Sequence, residues 1–297
     1  MKSELSVYTG NHDFFGISDQ VKTLQRILNN EIFIDITQEI PNTKNVLLIE
    51  NFTNFQIRKF VKMKENKCSN LFVLLTEHMW TDHFDTLYLN GNLWNSNFEY
   101  IPNIYDRFIN LIKLFPLIDG FITLFGYPEI NKIKTIFPNI HIMNLSDFKT
   151  LNQIIGATAA SKNQFDYDFC FFGTLTEHRK YLLKILSNRY RVYFDFGTSD
   201  HERSLILEKS MFCLSLPQNI SWSNVSPMRI INAAASGKYT VNIDDAGLMS
   251  NFPYSANVPL SKIMTLDSFE GLKFAEPDRE LMEREKFQVQ NFLRWLD

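Results

Sequence analysis

The chain has 297 residues, 45% hydrophobic and 21% charged, with a formal net charge of −3 at neutral pH. That composition excludes a disordered chain, a coiled coil and a collagen-like fibre, and the length suits about two domains. With no strong field of either sign, no nucleic-acid partner is expected.

Met1-Lys2-Ser3-Glu4-Leu5 has no long apolar run behind it, so no signal peptide is expected. Leu5–Tyr8 reads as a strand that ends in the turn-like Thr9-Gly10-Asn11. Val21, Leu24, Ile27 and Leu28 then recur at helical spacing within Gln20–Leu28. Val46–Ile49, Leu71–Leu75, Phe121–Phe125 and Ile140–Met143 are short apolar runs that read as buried strands. Phe55–Lys64 and Tyr105–Phe115 are helix-like stretches between them. Continuous apolar strands joined by helices predict a parallel sheet covered on both faces.

Phe108–Tyr127 is the most apolar part of the chain, but Lys113, Pro116, Asp119 and Gly120 interrupt it. A buried helix followed by a buried strand accounts for it better than a membrane span. Docking on a membrane surface, as a peripheral association, is the alternative.

The small and polar run 159–164 reads as a linker, after which the same grammar restarts. Tyr167–Phe172 is a strand ending at Gly173, Glu177–Leu186 a helix, and Val192–Phe196 a strand ending at Gly197. Ser204–Ser210 is helical, Met211–Leu216 extended, Met228–Ala235 helical and Tyr239–Ile243 extended. Arg279–Asp297 is a charged amphipathic helix. Both halves show a strand–Gly–helix opening, Phe14-Phe15-Gly16 in one and Phe171-Phe172-Gly173 in the other. Two Rossmann-like parallel-sheet domains facing a cleft are therefore expected, with ligands at the carboxyl ends of the strands. Cys68, Cys170 and Cys213 are odd in number, far apart and free of any CxxC pattern, which points to a reducing, cytoplasmic location.

Ser226-Pro227-Met228-Arg229 opens a short helix lined with small residues and closed by Gly237. Ser226 suits the N-cap, Pro227 the first helical position and Gly237 the C′ position. The amino end of such a helix offers free N–H groups and a positive dipole end to an anion, and Arg229 adds charge-assisted hydrogen bonds. The alternative is a well-capped helix packed on its sheet. Trp222, just upstream, suits stacking on a base or sugar, or a core position.

Tyr167–Gly173 with Arg179, then Leu207–Leu216, then Ser226-Pro227-Met228-Arg229…Ala233…Gly237, resembles the donor-binding half of GT-B glycosyltransferases. The likeness is to the group 1 type, including spore-maturation-like and capsule-associated members, and it covers roughly Tyr167 to Ile243. It implies an N-terminal acceptor-side domain over 1–158, a donor domain over 165–278 and a last helix, 279–297, crossing back to the first domain. The implied activity is sugar transfer from a nucleotide-sugar donor to a glycan or other hydroxyl acceptor, in surface polysaccharide synthesis. That donor is a substrate, so no separate cofactor is expected.

For the donor, the resemblance implies Gly173, Thr174, Arg179, Ser226, Pro227, Met228, Arg229 and Asn232. Asn232 stands where many relatives carry a Glu that binds the ribose; it still hydrogen-bonds a hydroxyl, but without charge. Asp244 and Asp245, after the next strand, are an alternative source of a carboxylate, or simply a solvated turn. Gly at 173 permits close backbone approach to the donor phosphate. GxGxxG is absent, which argues against a nicotinamide dinucleotide, although Asp195 lies at the spacing of a ribose-binding acid.

For catalysis, Glu77 and His78 follow the strand Leu71–Leu75, where a base for an inverting transfer belongs, and Asp13 is the alternative base. Glu77-His78 with Asp82-His83 does not have the HExxH spacing, and the resemblance also implies a metal-independent enzyme, so no metal site is expected. A catalytically degenerate relative acting as a binding or scaffold subunit is the competing reading, motivated by Asn232.

Overall fold

The computed structural model describes residues 4–8, 15–28, 32–37, 44–49, 54–66, 70–75, 88–89, 92–93, 104–124, 128–145, 165–195, 199–218, 226–245, 247, 252–277 and 279–297. The chain divides into two compact units, Met1–Asp147 with Glu283–Asp297, and Phe148–Met282.

The first unit carries strands β1 (Glu4–Tyr8), β2 (Phe33–Thr37), β3 (Asn45–Ile49), β4 (Asn70–Leu75), β7 (Gly120–Leu124) and β8 (His141–Leu145). They form one sheet in the order β2-β1-β3-β4-β7-β8, every pair parallel. A short antiparallel ribbon of β5 (Tyr88–Leu89) and β6 (Asn92–Leu93) lies between β4 and β7 in sequence. Helices α1 (Phe15–Leu28), α2 (Asn54–Glu65) and α3 (Ile104–Leu114) are the described crossover helices.

Alternation along each strand sends side chains to both faces. Leu48, Leu71, Val73 and Phe121 pack with Phe60 of α2 and Leu111 of α3. On the other face, Phe72 meets Phe292 and Trp295 of the C-terminal helix, with ring centroids 5.6 and 4.4 Å apart. That helix, Arg279–Leu296, is anchored where Asn45 Nδ2 donates to the Leu296 carbonyl at 3.0 Å.

Phe108, Leu111, Leu114, Phe115, Phe121 and Ile122 are all buried, so these residues of the most apolar stretch are core of this unit. Among the described residues no helix is long and apolar enough to cross a membrane.

The second unit has β9 (Tyr167–Phe172), β10 (Val192–Asp195), β11 (Ser210–Ser215), β12 (Thr240–Ile243) and β13 (Ser255–Val258) in the order β10-β9-β11-β12-β13, again all parallel. Its helices are α4 (Glu177–Ser187), α5 (Asp200–Lys209), α6 (Pro227–Ala235) and the single turn α7 (Leu260–Ile263); the C-terminal helix is α8. Phe169, Phe171, Leu214, Val241 and Ile243 pack on α4, while Cys170, Cys213, Ala233 and Leu207 fill the opposite face. Cys170 and Cys213 are register neighbours and both are free thiols. Cys68, the turn Thr9-Gly10-Asn11 and the linker 159–164 lie outside the described residues.

The two-domain parallel α/β class read from the sequence is the observed one. Several details differ. Phe15 and Gly16 belong to α1 and do not end a strand, so the first half lacks the Phe-Phe-Gly opening that ends β9 in the second. Helix α5 begins at Asp200, not Ser204, because Ser199 and Glu202 form a reciprocal capping box. Strands β2 and β13 were not expected from the sequence; β2 is a sheet edge with Phe33 and Ile36 exposed, so it lacks a continuous buried run.

Candidate functional site

In the second sheet the connections from β9 and β11 diverge, because β9 leads outward to β10 and β11 leads the other way to β12. At such a switch point the loops after the two strands part and leave room for a ligand beyond their carboxyl ends. Each loop here runs into a helix whose third residue is an arginine. Arg179 is third in α4 and Arg229 is third in α6.

Arg179 is 3% exposed. Thr176 caps α4 by accepting from the Arg179 N–H at 3.3 Å, and its hydroxyl donates to the Gln218 carbonyl at 2.8 Å. The guanidinium turns back over this cap. Nε donates to the Leu216 carbonyl at 3.0 Å and Nη1 to the Thr174 carbonyl at 2.9 Å, which joins the loop after β9 to the end of β11.

Arg229 is half-buried, and its Nε donates to the Phe172 carbonyl at 2.8 Å. Both guanidinium carbons sit over the buried Phe171 ring, at 5.4 and 5.0 Å from its centroid. Each contact of this kind contributes about 0.5–2 kcal/mol. Burial pulls Arg179 well below its ordinary value, and the neighbouring Arg229 charge lowers it further. Burial likewise lowers Arg229 to about 10, with Cys213 acting in the opposite direction. Arg229 remains a cation at neutral pH. Among the described residues neither forms an ion pair, so two like charges lie close together with no carboxylate between them.

Gly173 makes this arrangement possible. Its φ of +145° is a conformation that side-chain-bearing residues rarely adopt, and a Cβ there would lie 2.5 Å from Arg229 Nη2. The Gly173 N–H is directed to the Asp195 carbonyl at 3.4 Å. Glycine at 173 thus admits a guanidinium rather than presenting a free N–H. Thr174 contributes its carbonyl to Arg179.

Ser226 occupies the N-cap of α6, yet its side chain makes no cap bond. Pro227 has no N–H, and the Arg229 N–H donates to the Ser226 carbonyl at 3.1 Å. Among the described residues, the N–H groups of Ser226 and Met228 are the open donors of that turn. The far end of α6 closes as its sequence implies: Gly237, at φ +70°, donates to Ala234 and Lys238 donates to Ala233. Asn232 lies one turn beyond Arg229 and is half-buried. Asp244 is buried, while Asp245 accepts the Leu260 N–H at 2.6 Å, at the first residue of α7.

Sequence reasoning passed over His178, the second residue of α4. It is half-buried, and burial lowers its pKa while the Asp245 charge opposes that shift. The repeated pattern Thr176-x-x-Arg179 and Ser226-x-x-Arg229, each following a strand, was a readable signal for the arginine pair. Glu77, His78, Asp13, Trp222, Asp82 and His83 lie outside the described residues. Among those described, no group of three metal-binding side chains comes together.

No family model matches the sequence, and no curated protein matches it. Solved structures do resemble the chain. A DNA-modifying β-glucosyltransferase, solved with and without its substrate uridine diphosphoglucose, is 8% identical, with a TM-score of 0.46 over 99% of this chain and 96% of its own. An α1,3-fucosyltransferase is 13% identical, with a TM-score of 0.38 over 98% of this chain and 82% of its own. A structure of α1,3-fucosyltransferase with GDP has the same identity and coverage and a TM-score of 0.35.

Proposed function

We propose that the chain is a nucleotide-sugar-dependent glycosyltransferase and that its second unit holds the donor diphosphate beside Arg229. The observation that carries this reading is the pair of guanidinium groups at the β9/β11 switch point with no carboxylate partner among the described residues. A buried cation without a counter-charge is costly, and a bound diphosphate supplies that counter-charge. The planar fork of Arg229 matches phosphate oxygens, whereas Arg179 is committed to two carbonyls and positions the loops.

In sugar transfer the bond between the anomeric carbon and the phosphate oxygen breaks, and negative charge grows on the departing diphosphate. Arg229 and the open N–H groups of α6 face the place where that charge develops. Because these groups supply the counter-charge, we assign a metal-independent transfer, with activity unchanged by a chelator. Glu77 is the proposed base for the acceptor hydroxyl, followed by His78 and Asp13. Gly173, Thr174, Ser226, Pro227, Met228 and Asn232 complete the proposed donor surface. The likeness to capsule-associated transferases supports a glycan acceptor in surface polysaccharide synthesis, and the free Cys170–Cys213 pair supports a reducing compartment such as the cytoplasm.

The test is a thermal-shift and calorimetric titration with UDP, GDP, CMP, ADP and their sugar conjugates. One nucleotide is expected to raise the melting temperature, since a ligand at ~100 times its dissociation constant adds about 2.7 kcal/mol. Binding should hold up to pH about 10 and weaken above it, as Arg229 loses its proton and its attraction for the anion. Absence of any nucleotide shift would move the assignment to the second reading, a non-catalytic binding subunit, which the uncharged Asn232 favours.

A further inference from the structure

The first unit holds a cavity of about 420 Å³ at the opposite edge of its sheet from the carboxyl ends of its strands. It opens where β4, β7 and β8 begin, beside Asn70, Asp119 and His141. A five-residue strand rises about 16 Å, so this cavity is separate from any site at the carboxyl ends. Its size falls within the ~300–1,000 Å³ of small-ligand pockets.

One wall is aromatic and held in place. Trp295 packs edge-on against Phe72, and its ring lies so near Gly120 that a Cβ there would be 3.0 Å from it. The His141 ring lies 4.4 Å from the indole, and Phe137 and Pro138 continue the apolar lining. The polar part of the lining is almost neutral. Among the described residues Asp119 is its only carboxylate, and it pairs with Lys64 and accepts the Leu71 N–H at 2.6 Å. Among the described residues, the Asn139 amide, the His141 imidazole and the Trp295 N–H have no hydrogen-bond partner. Asn139 and His141 carry both donor and acceptor capacity, and the indole N–H donates.

Each class of ligand can be weighed against these groups. An anion would find no cation to pair with, since among the described residues the lining carries no Lys or Arg and Lys64 is engaged by Asp119. A cation would find that carboxylate already neutralised by Lys64. A purely apolar ring would take water from Asn139, His141 and the indole N–H without replacing its hydrogen bonds, which is unfavourable. A neutral ring with an apolar face and hydroxyls at its rim satisfies both parts of the lining. We propose that this cavity is a second, non-catalytic binding site for a single neutral sugar residue. The ring face lies on the Trp295–His141 wall, and the hydroxyls bond to Asn139 and His141.

The test uses methyl glycosides of glucose, galactose, mannose and N-acetylglucosamine, with indole as the apolar probe, followed by saturation-transfer NMR on the full chain. One glycoside should bind saturably. The double variant Asn139→Ala, His141→Ala should weaken it about tenfold while leaving the nucleotide titration unchanged. Both positions are exposed, so folding is preserved; Trp295→Phe keeps the wall but removes the N–H and should weaken binding less. Saturation by no glycoside, equal binding by the double variant, or binding of indole alone would overturn the proposal. A protein that binds a glycoside here yet no nucleotide keeps this inference and loses the transferase reading; the converse result keeps the transferase and loses this site.

Discussion

The two sheets share a parallel architecture but differ in what they bury. In the first unit β3, β4 and β7 carry long runs of buried Leu, Ile, Val and Phe. In the second, the same layer contains Ser210, Ser215, Thr240, Asn242 and Ser255, together with the guanidinium of Arg179. Thr240 Oγ1 and Asn242 Oδ1 are buried without a hydrogen bond among the described residues. Buried polar groups left unpaired each cost about 1–3 kcal/mol, so the second sheet gives up stability that the first retains. The difference between the sheets teaches where to look for chemistry: local rules of burial are broken in strand β12, in the sheet that carries the arginine pair.

The largest effect on stability belongs to the apolar sheet. Phe72 is fully buried between Phe292 and Trp295. Phe72→Ala should cost about 3–5 kcal/mol in denaturant unfolding of the first unit, through lost contact and a cavity. A loss below about 1 kcal/mol would break the contrast, since the first sheet would then tolerate defects as well as the second.

Gly173→Ala comes next. The new Cβ would lie 2.5 Å from Arg229 Nη2, too close for both to stay, and the backbone at φ +145° would be strained. About 1–3 kcal/mol of stability should be lost, with nucleotide binding abolished because the guanidinium is displaced. Retention of the nucleotide-induced thermal shift in this variant would show that Arg229 does not need its present position.

Arg229→Met sharpens the comparison differently, because it removes charge while keeping bulk. Nucleotide affinity should fall about ten- to hundredfold, the value of one charge-assisted hydrogen bond. The melting temperature of the ligand-free protein should stay level or rise, since a like charge beside Arg179 is removed. A large drop in the ligand-free melting temperature with unchanged nucleotide affinity would make Arg229 a structural residue.

How much of this was legible follows the same division. Val46–Ile49, Leu71–Leu75 and Phe121–Leu124 announce buried parallel strands because both of their faces are covered and apolar. Ser255-Ala256-Asn257-Val258 does not, because nothing in that run favours a strand locally; pairing with β12 makes it one. Phe33–Thr37 is hidden by its position at an edge, where exposed and partly buried residues mix. At the site, Arg229 was readable from its helix start. That Arg179 is buried, shares the Phe171 ring with Arg229 and binds two carbonyls depends on contacts 37 and 5 residues apart in sequence, which no local pattern encodes. The role of Gly173 was legible as a need for close approach, but what approaches is a side chain of the protein itself.

The smallest effect is also the cleanest test of the second sheet's polar layer. Thr240 starts β12, is fully buried, and its hydroxyl has no hydrogen-bond partner among the described residues. Thr240→Val keeps the shape and β-branching and removes only the desolvated hydroxyl. The variant should be more stable by about 1 kcal/mol, a rise of about 3 °C in the melting temperature of a unit this size, with nucleotide binding unchanged. Calorimetry on the pair of proteins decides it. A loss of about 1 kcal/mol instead would mean that the hydroxyl has a partner, such as a bound water, and that this part of the layer is a satisfied polar network rather than a sacrifice of stability.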